Sequence, residues 1–91
     1  MNDIREYDVN CIKLLIKLIN SLPNEKCCNA CRIYRTMKLN KTQEDISKEL
    51  NCSQENISAF ENGRNGNPLI LVWYIENGLL NEYSINELLG C

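Results

Sequence analysis

The sequence predicts an all-α fold, on three observations. Apolar residues recur at three- and four-residue intervals along most of the chain, the pattern of helices with one buried face. Only four glycines and two prolines punctuate the 91 residues, and they fall between the periodic runs. No stretch of Val, Ile and Thr alternates long enough to suggest a strand. A chain of this length makes one domain, or one domain with an added element. It can bury a modest core without staples.

Residues 1–23 predict an amphipathic helix that begins at Asp3 or Asp8 and stops before Pro23. Ile12, Leu15, Ile16, Ile19 and Leu22 share one face. Cys11, Leu14 and Leu18 widen it, and Lys13, Lys17 and Asn20 leave a narrow polar strip. Packing on its own domain is the expected role. The alternatives are a dimer interface or a surface for a protein partner. The polar strip is too poor in Lys and Arg for a membrane-surface helix.

Asn24-Glu25-Lys26 reads as a link, and residues 27–91 as the main domain. Within it, Cys27 to Lys38 predicts a helix with Cys27, Cys31 and Tyr34 facing inward. Thr42 to Arg64 predicts two short helices joined by a tight turn. Thr42 caps the first, with Asp45 completing a capping box. Ile46 and Leu50 share its buried face. Asn51-Cys52 is too short to wander, Ser53 caps the second helix, Ile57 and Phe60 point to the core, and Asn62-Gly63 stops it. The second helix spans about 53–62. Asn67 and Pro68 then open an apolar helix that runs to Asn77 and closes at Gly78. Trp73 and Tyr74 are adjacent, so one is expected in the core and the other at a partner surface. Ser84 to Glu87 forms another capping box before a last short helix.

The net charge of −2 argues against a general nucleic-acid glue. Its distribution matters more. Residues 32–64 hold six basic and five acidic side chains, a net of +1, while residues 65–91 hold three acidic and no basic ones. The absence of His removes the commonest acid-base group, and no Gly-rich phosphate loop occurs. Glu44-Asp45 reads as solvated charge. Neither catalysis nor a cofactor is expected. Cys28 and Cys31 have a C-x-x-C spacing but no second such pair follows, so the cysteines are expected to be small buried hydrophobes or surface thiols, with zinc binding or thiol redox sensing as alternatives and no metal assigned. No signal peptide or membrane span is readable, which makes a cytoplasmic location and reduced thiols the default expectation.

The order Thr42-Gln43-Glu44-x-Ile46, then Ile57-Ser58-x-x-Glu61-x-Gly63-Arg64, closely resembles the DNA-binding domain of phage Cro and lambda-type repressors. The resemblance covers about residues 32–80. It implies a lambda-repressor-like helix-turn-helix domain of about five helices, with the 1–23 helix as an addition. It implies a sequence-specific regulator that binds double-stranded operator DNA, as a homodimer, reading the major groove with the N-terminal end of the second helix. The DNA-contact set is then Lys41, Gln43, Ser53, Gln54, Glu55, Asn56, Ser58, Arg64 and Asn65. Gln43 is expected to brace Gln54. Arg35, Lys38, Lys41, Lys48 and Arg64 are the candidate phosphate contacts. Gln and Asn can bond adenine, and Glu can accept from the cytosine amino group. Glu61 is expected to be a structural acceptor. Arg35 stands near an arginine of the family pattern, but one residue further from Gln43 than usual. Repression fits better than activation, because nothing beyond this one domain is available to recruit polymerase. The rival reading is a protein-interaction module on the same fold, such as an anti-repressor, an antitoxin or an inhibitor of a host or defence protein.

Overall fold

The computed structural model describes residues 9–90, which form seven α-helices and no strand. These are α1 (Val9–Asn20), α2 (Glu25–Tyr34), α3 (Gln43–Leu50), α4 (Gln54–Glu61), α5 (Pro68–Glu76), α6 (Leu79–Glu82) and α7 (Ile85–Leu89). A wider π-helical turn, Arg35–Leu39, extends α2. The start expected at Asp3 or Asp8, and Cys91, lie outside the described residues. Among the described residues no helix is long and apolar enough to cross a membrane.

α2 runs through the middle, with α4 on one side and α7 on the other, and α1 rests on α7. The core joins Leu18 of α1, Cys27, Cys28 and Cys31 of α2, Ile46, Ile57, Phe60, Ile70, Leu71, Tyr74, Leu79 and Leu88. The face expected of α1 is split. Leu18 is fully buried, and Ile19 and Leu22 lean on the core, but Val9, Ile12 and Ile16 are exposed. α1 packs on α7 through part of a broad stripe, and its remaining apolar side chains face outward.

Of the segment read as a link, Asn24 is a cap and Glu25 and Lys26 already belong to α2. Asn24 Oδ1 accepts from Cys27 N at 3.2 Å, starting α2 at Glu25. Its Nδ2 donates to the Leu88 carbonyl at 2.9 Å, which ties this helix start to α7. At the other end the π turn closes with Asn40 in the left-handed region (φ 52), its N–H returning to the Arg35 carbonyl. A π turn holds one residue more than an α turn. It therefore absorbs the additional residue between Arg35 and Gln43.

Both predicted caps of the helix pair are formed. Thr42 and Asp45 exchange hydrogen bonds of 3.1 and 2.9 Å, and Ser53 Oγ accepts from Asn56 N at 3.2 Å. Asn51, at φ 55, reverses the chain between α3 and α4. After α4 the loop presses on the end of α1. A Cβ on Gly66 would lie 2.8 Å from backbone atoms of Leu22 and Pro23, so only glycine fits.

Trp73 and Tyr74 do not divide between core and surface; both are buried. Their rings meet edge to face at 5.2 Å, and the outer side of Trp73 is covered by Lys41, 5.7 Å from the ring centroid. Trp73 Nε1 donates to Glu49 Oε1 at 3.3 Å. The four-residue α6 carries no signal in the sequence, so six helices follow α1 where about five were expected. α6 starts at Gly78 (φ +100), where a Cβ would sit 2.6 Å from the Tyr34 hydroxyl. The Ser84–Glu87 capping box that opens α7 is present.

Candidate nucleic-acid interface

The helix pair is held from inside by a buried carboxylate. Glu61, on the last turn of α4, accepts from Arg35 Nε at 2.7 Å and Nη2 at 2.9 Å, a two-pronged pair. Tyr74 Oη donates to the same carboxylate at 2.6 Å and Gln43 Nε2 at 3.0 Å. Arg35 Nη1 spans to the Lys41 carbonyl at 3.0 Å. Burial alone would raise the Glu61 carboxyl. Bonds from Arg35, Tyr74 and Gln43 outweigh it and hold the group below the usual carboxylate range. Burial, and then the bond to Glu61, push the Tyr74 phenol up. One side chain from α4 thus fixes α2, α3 and α5 together. The structural role expected of Glu61 is what the geometry shows; the part played by Tyr74 carried no signal in the sequence.

On the outer side, Ser53, Gln54, Glu55 and Asn56 are consecutive and exposed at the N-terminal end of α4, while Ile57 and Phe60 point inward. Gln43, Gln54, Glu55 and Ser58 line one shallow cleft of about 320 Å³. The Gln43 amide nitrogen bonds Glu61, so Gln43 is anchored from below, where a brace on Gln54 was expected.

Most of the expected phosphate contacts are engaged elsewhere. Arg35 is buried against Glu61 and cannot reach a phosphate. Lys38 pairs with Glu82 at 3.3 Å, Lys48 with Glu44 at 3.5 Å, and Lys41 with Glu49. Their positions in the sequence put these lysines near the helix pair without revealing that each has a carboxylate in reach. Asn65 is also used internally: its Nδ2 donates to the Asn56 carbonyl at 3.3 Å and its Oδ1 accepts from Asn67 N at 3.2 Å. It braces the loop against α4. Arg64 is exposed and, among the described residues, has no ion pair.

Cys27, Cys28 and Cys31 are core side chains, completely buried. Burial pushes the Cys28 thiol up, and Cys31 is raised by its hydrogen bond with Cys27 and then by burial. Among the described residues no three His, Cys, Asp or Glu side chains are placed to hold a metal ion.

Residues 32–72 match the helix-turn-helix family, a span that begins in α2 and ends in α5. No curated protein and no solved structure matches the chain. The matched span contains the caps, the left-handed Asn51 turn and the exposed N-terminal end of α4 that such a domain needs to reach base edges. Over these residues the chain is similar to the helix-turn-helix family, in line with the resemblance to Cro and lambda-type repressors that its sequence carries.

Proposed function

We propose that this protein is a sequence-specific operator-binding regulator, a repressor of phage or mobile-element type that works as a homodimer. The observation that carries the reading is the division of α4. Its inward side chains Ile57, Phe60 and Glu61 are buried, while Ser53, Gln54, Glu55 and Asn56 stand exposed together at its first turn. A helix presented this way can enter the major groove end-on. Gln54 offers a donor and an acceptor that match adenine, and Glu55 offers acceptors that match the cytosine amino group. Gln43, Ser58 and Arg64 flank them as groove and backbone contacts. Lys41 and Asn65 act indirectly, by holding Trp73 and the loop after α4. Occupying the operator is the proposed mode of repression. α5 exposes Leu69 and Val72 one turn apart, and this apolar pair is the proposed meeting surface of the two copies. Half-sites are then expected roughly 34 Å apart.

Selection from random duplexes tests the reading. The parent should enrich a two-fold site. Gln54→Ala should relax one position in each half-site, a loss of roughly 1–3 kcal/mol against the preferred base, while non-specific binding survives. No enrichment by the parent would sink the operator reading. In that event the rival reading, a protein-interaction module, takes over. It is favoured by the exposed apolar stripe Val9, Ile12 and Ile16 on α1, which lies outside the matched residues and offers a surface to a protein partner.

A further inference from the structure

Beside the reading cleft lies a second, larger one. It is open, about 590 Å³, and lined by Glu25, Lys26, Asn29 and Arg32 of α2 with Glu61 and Asn62 at the end of α4. We propose that this cleft is a further DNA contact, which seats a phosphodiester of the strand bordering the groove that α4 reads. The proposal rests on the DNA-reading function above and adds Lys26, Asn29, Arg32 and Asn62 to it.

The hydrogen bond from Gln43 Nε2 to Glu61 Oε1 links the linings of the two clefts: Gln43 lines one and Glu61 the other. α4 has eight residues. At 1.5 Å per residue it is about 12 Å long, more than the roughly 8.5 Å depth of the major groove that an end-on helix can fill. A helix entering by its first turn therefore leaves its last turn, with Glu61 and Asn62, near the bordering backbone.

The charges favour the same placement. The reading unit is nearly neutral, and Lys38, Lys41, Lys48 and Arg35 are each held by a carboxylate. The lysine pairs are exposed and weak, but a cation with no carboxylate partner gives up nothing to meet a phosphate. Lys26 and Arg32 are exposed and, among the described residues, lack ion pairs. The guanidinium of Arg32 is steadied by Nη2 donating to Asn29 Oδ1 at 2.8 Å, which leaves its remaining donors for an anion. Glu61 in the wall is matched by Arg35. Glu25 is the other carboxylate of the lining and opposes a phosphate there, which gives the test two signs.

The experiment is duplex binding across about 50 to 200 mM salt, with melting curves to show that each exposed-site variant is folded. Arg32→Ala and Lys26→Ala should each weaken operator and unrelated duplexes alike. Each should flatten the slope of log K against log salt by about 0.9 for every phosphate no longer neutralised, so the parent's advantage shrinks about 3.5-fold over that range. Glu25→Gln should strengthen binding to all sequences. Lys38→Ala, whose lysine pairs with Glu82 outside both clefts, should leave the slope unchanged. If Arg32→Ala and Lys26→Ala both keep the parent's slope while Arg64→Ala flattens it, the cleft is not a contact and the reading by α4 stands. If the parent binds no duplex at any salt, the DNA reading fails and the proposal goes with it.

Discussion

The α3–α4 pair and α1 are both amphipathic, yet they meet the rest of the protein in opposite ways. In the pair, each helix start is capped and the buried polar side chains are satisfied, down to the bonds that converge on Glu61 from Arg35, Gln43 and Tyr74. In α1 only Leu18 is fully buried, and Ile16 keeps 52 % of its surface exposed and Val9 65 %. Polar anchoring fixes a helix in rotation as well as position, because a misplaced buried charge is costly. Apolar packing without such polar anchors fixes a helix far more loosely, and here leaves a broad stripe partly uncovered.

The largest effect should come from breaking the polar anchor. Arg35→Ala leaves the Glu61 carboxylate buried without its cation, a loss of about 3–5 kcal/mol. Replacing both, as Arg35→Met with Glu61→Leu, should recover much of that loss in a denaturant titration. The pH dependence has a definite sign. A carboxyl held low in the folded protein contributes stability that is fully present above its unfolded pKa of about 4.3 and is lost as pH falls through the folded value. Glu61→Gln has no such proton to gain. It should be less stable at neutral pH and lose part of the acid-side steepness. A variant that kept the parent's acid limb would assign that limb to other groups, the Asp45 and Glu87 capping carboxyls among them.

A smaller effect is expected where the anchor is reached by an unusual route. The π turn Arg35–Leu39 carries the additional residue that separates Arg35 from Gln43, and Met37 on it is 75 % exposed. Deleting Met37 should convert the turn to regular α-helix and keep Arg35 on Glu61. Stability should then change by under about 1 kcal/mol, in the range of surface changes. A loss as large as that of Arg35→Ala would show that the wider turn itself delivers the guanidinium to the carboxylate.

The sequence was legible where structure is set locally. Thr42 with Asp45, Ser53, Ser84 with Glu87, and Asn67 with Pro68 each announce a helix start within four residues, and each start is formed. The spacing of Ile46, Ile57 and Phe60 likewise placed three core side chains. What stayed hidden depends on contacts far along the chain. Asn24 reads as linker until Leu88, 64 residues on, supplies a carbonyl for its amide. Trp73 and Tyr74 read as one core and one surface side chain because Lys41 and Glu49, which cover Trp73, belong to other elements. The candidate site divides the same way. The exposed first turn of α4 follows from its cap, whereas the pairing of Lys38 with Glu82 and the cleft at Arg32 exist only once α2, α4 and α6 are assembled.

The smallest effect, and the one that sharpens the comparison most, belongs to α1. Ile16 follows Val9 and Ile12 along the outer stripe, and about half of it stays open to solvent. Ile16→Glu should therefore alter stability by no more than about 0.5 kcal/mol, the range of an exposed position. Leu18→Ala, two residues away on the same helix, should cost about 2–5 kcal/mol, as for a core leucine. Sedimentation then asks what the stripe does at concentrations where copies meet. If the dimer forms through Leu69 and Val72 on α5, Ile16→Glu leaves its dissociation constant unchanged and Val72→Glu raises it. If Ile16→Glu instead dissolves the dimer while the monomer stays as stable as the parent's, a second copy covers α1. The contrast between the two regions then becomes one between a helix pair anchored within its own chain and a helix completed by its partner.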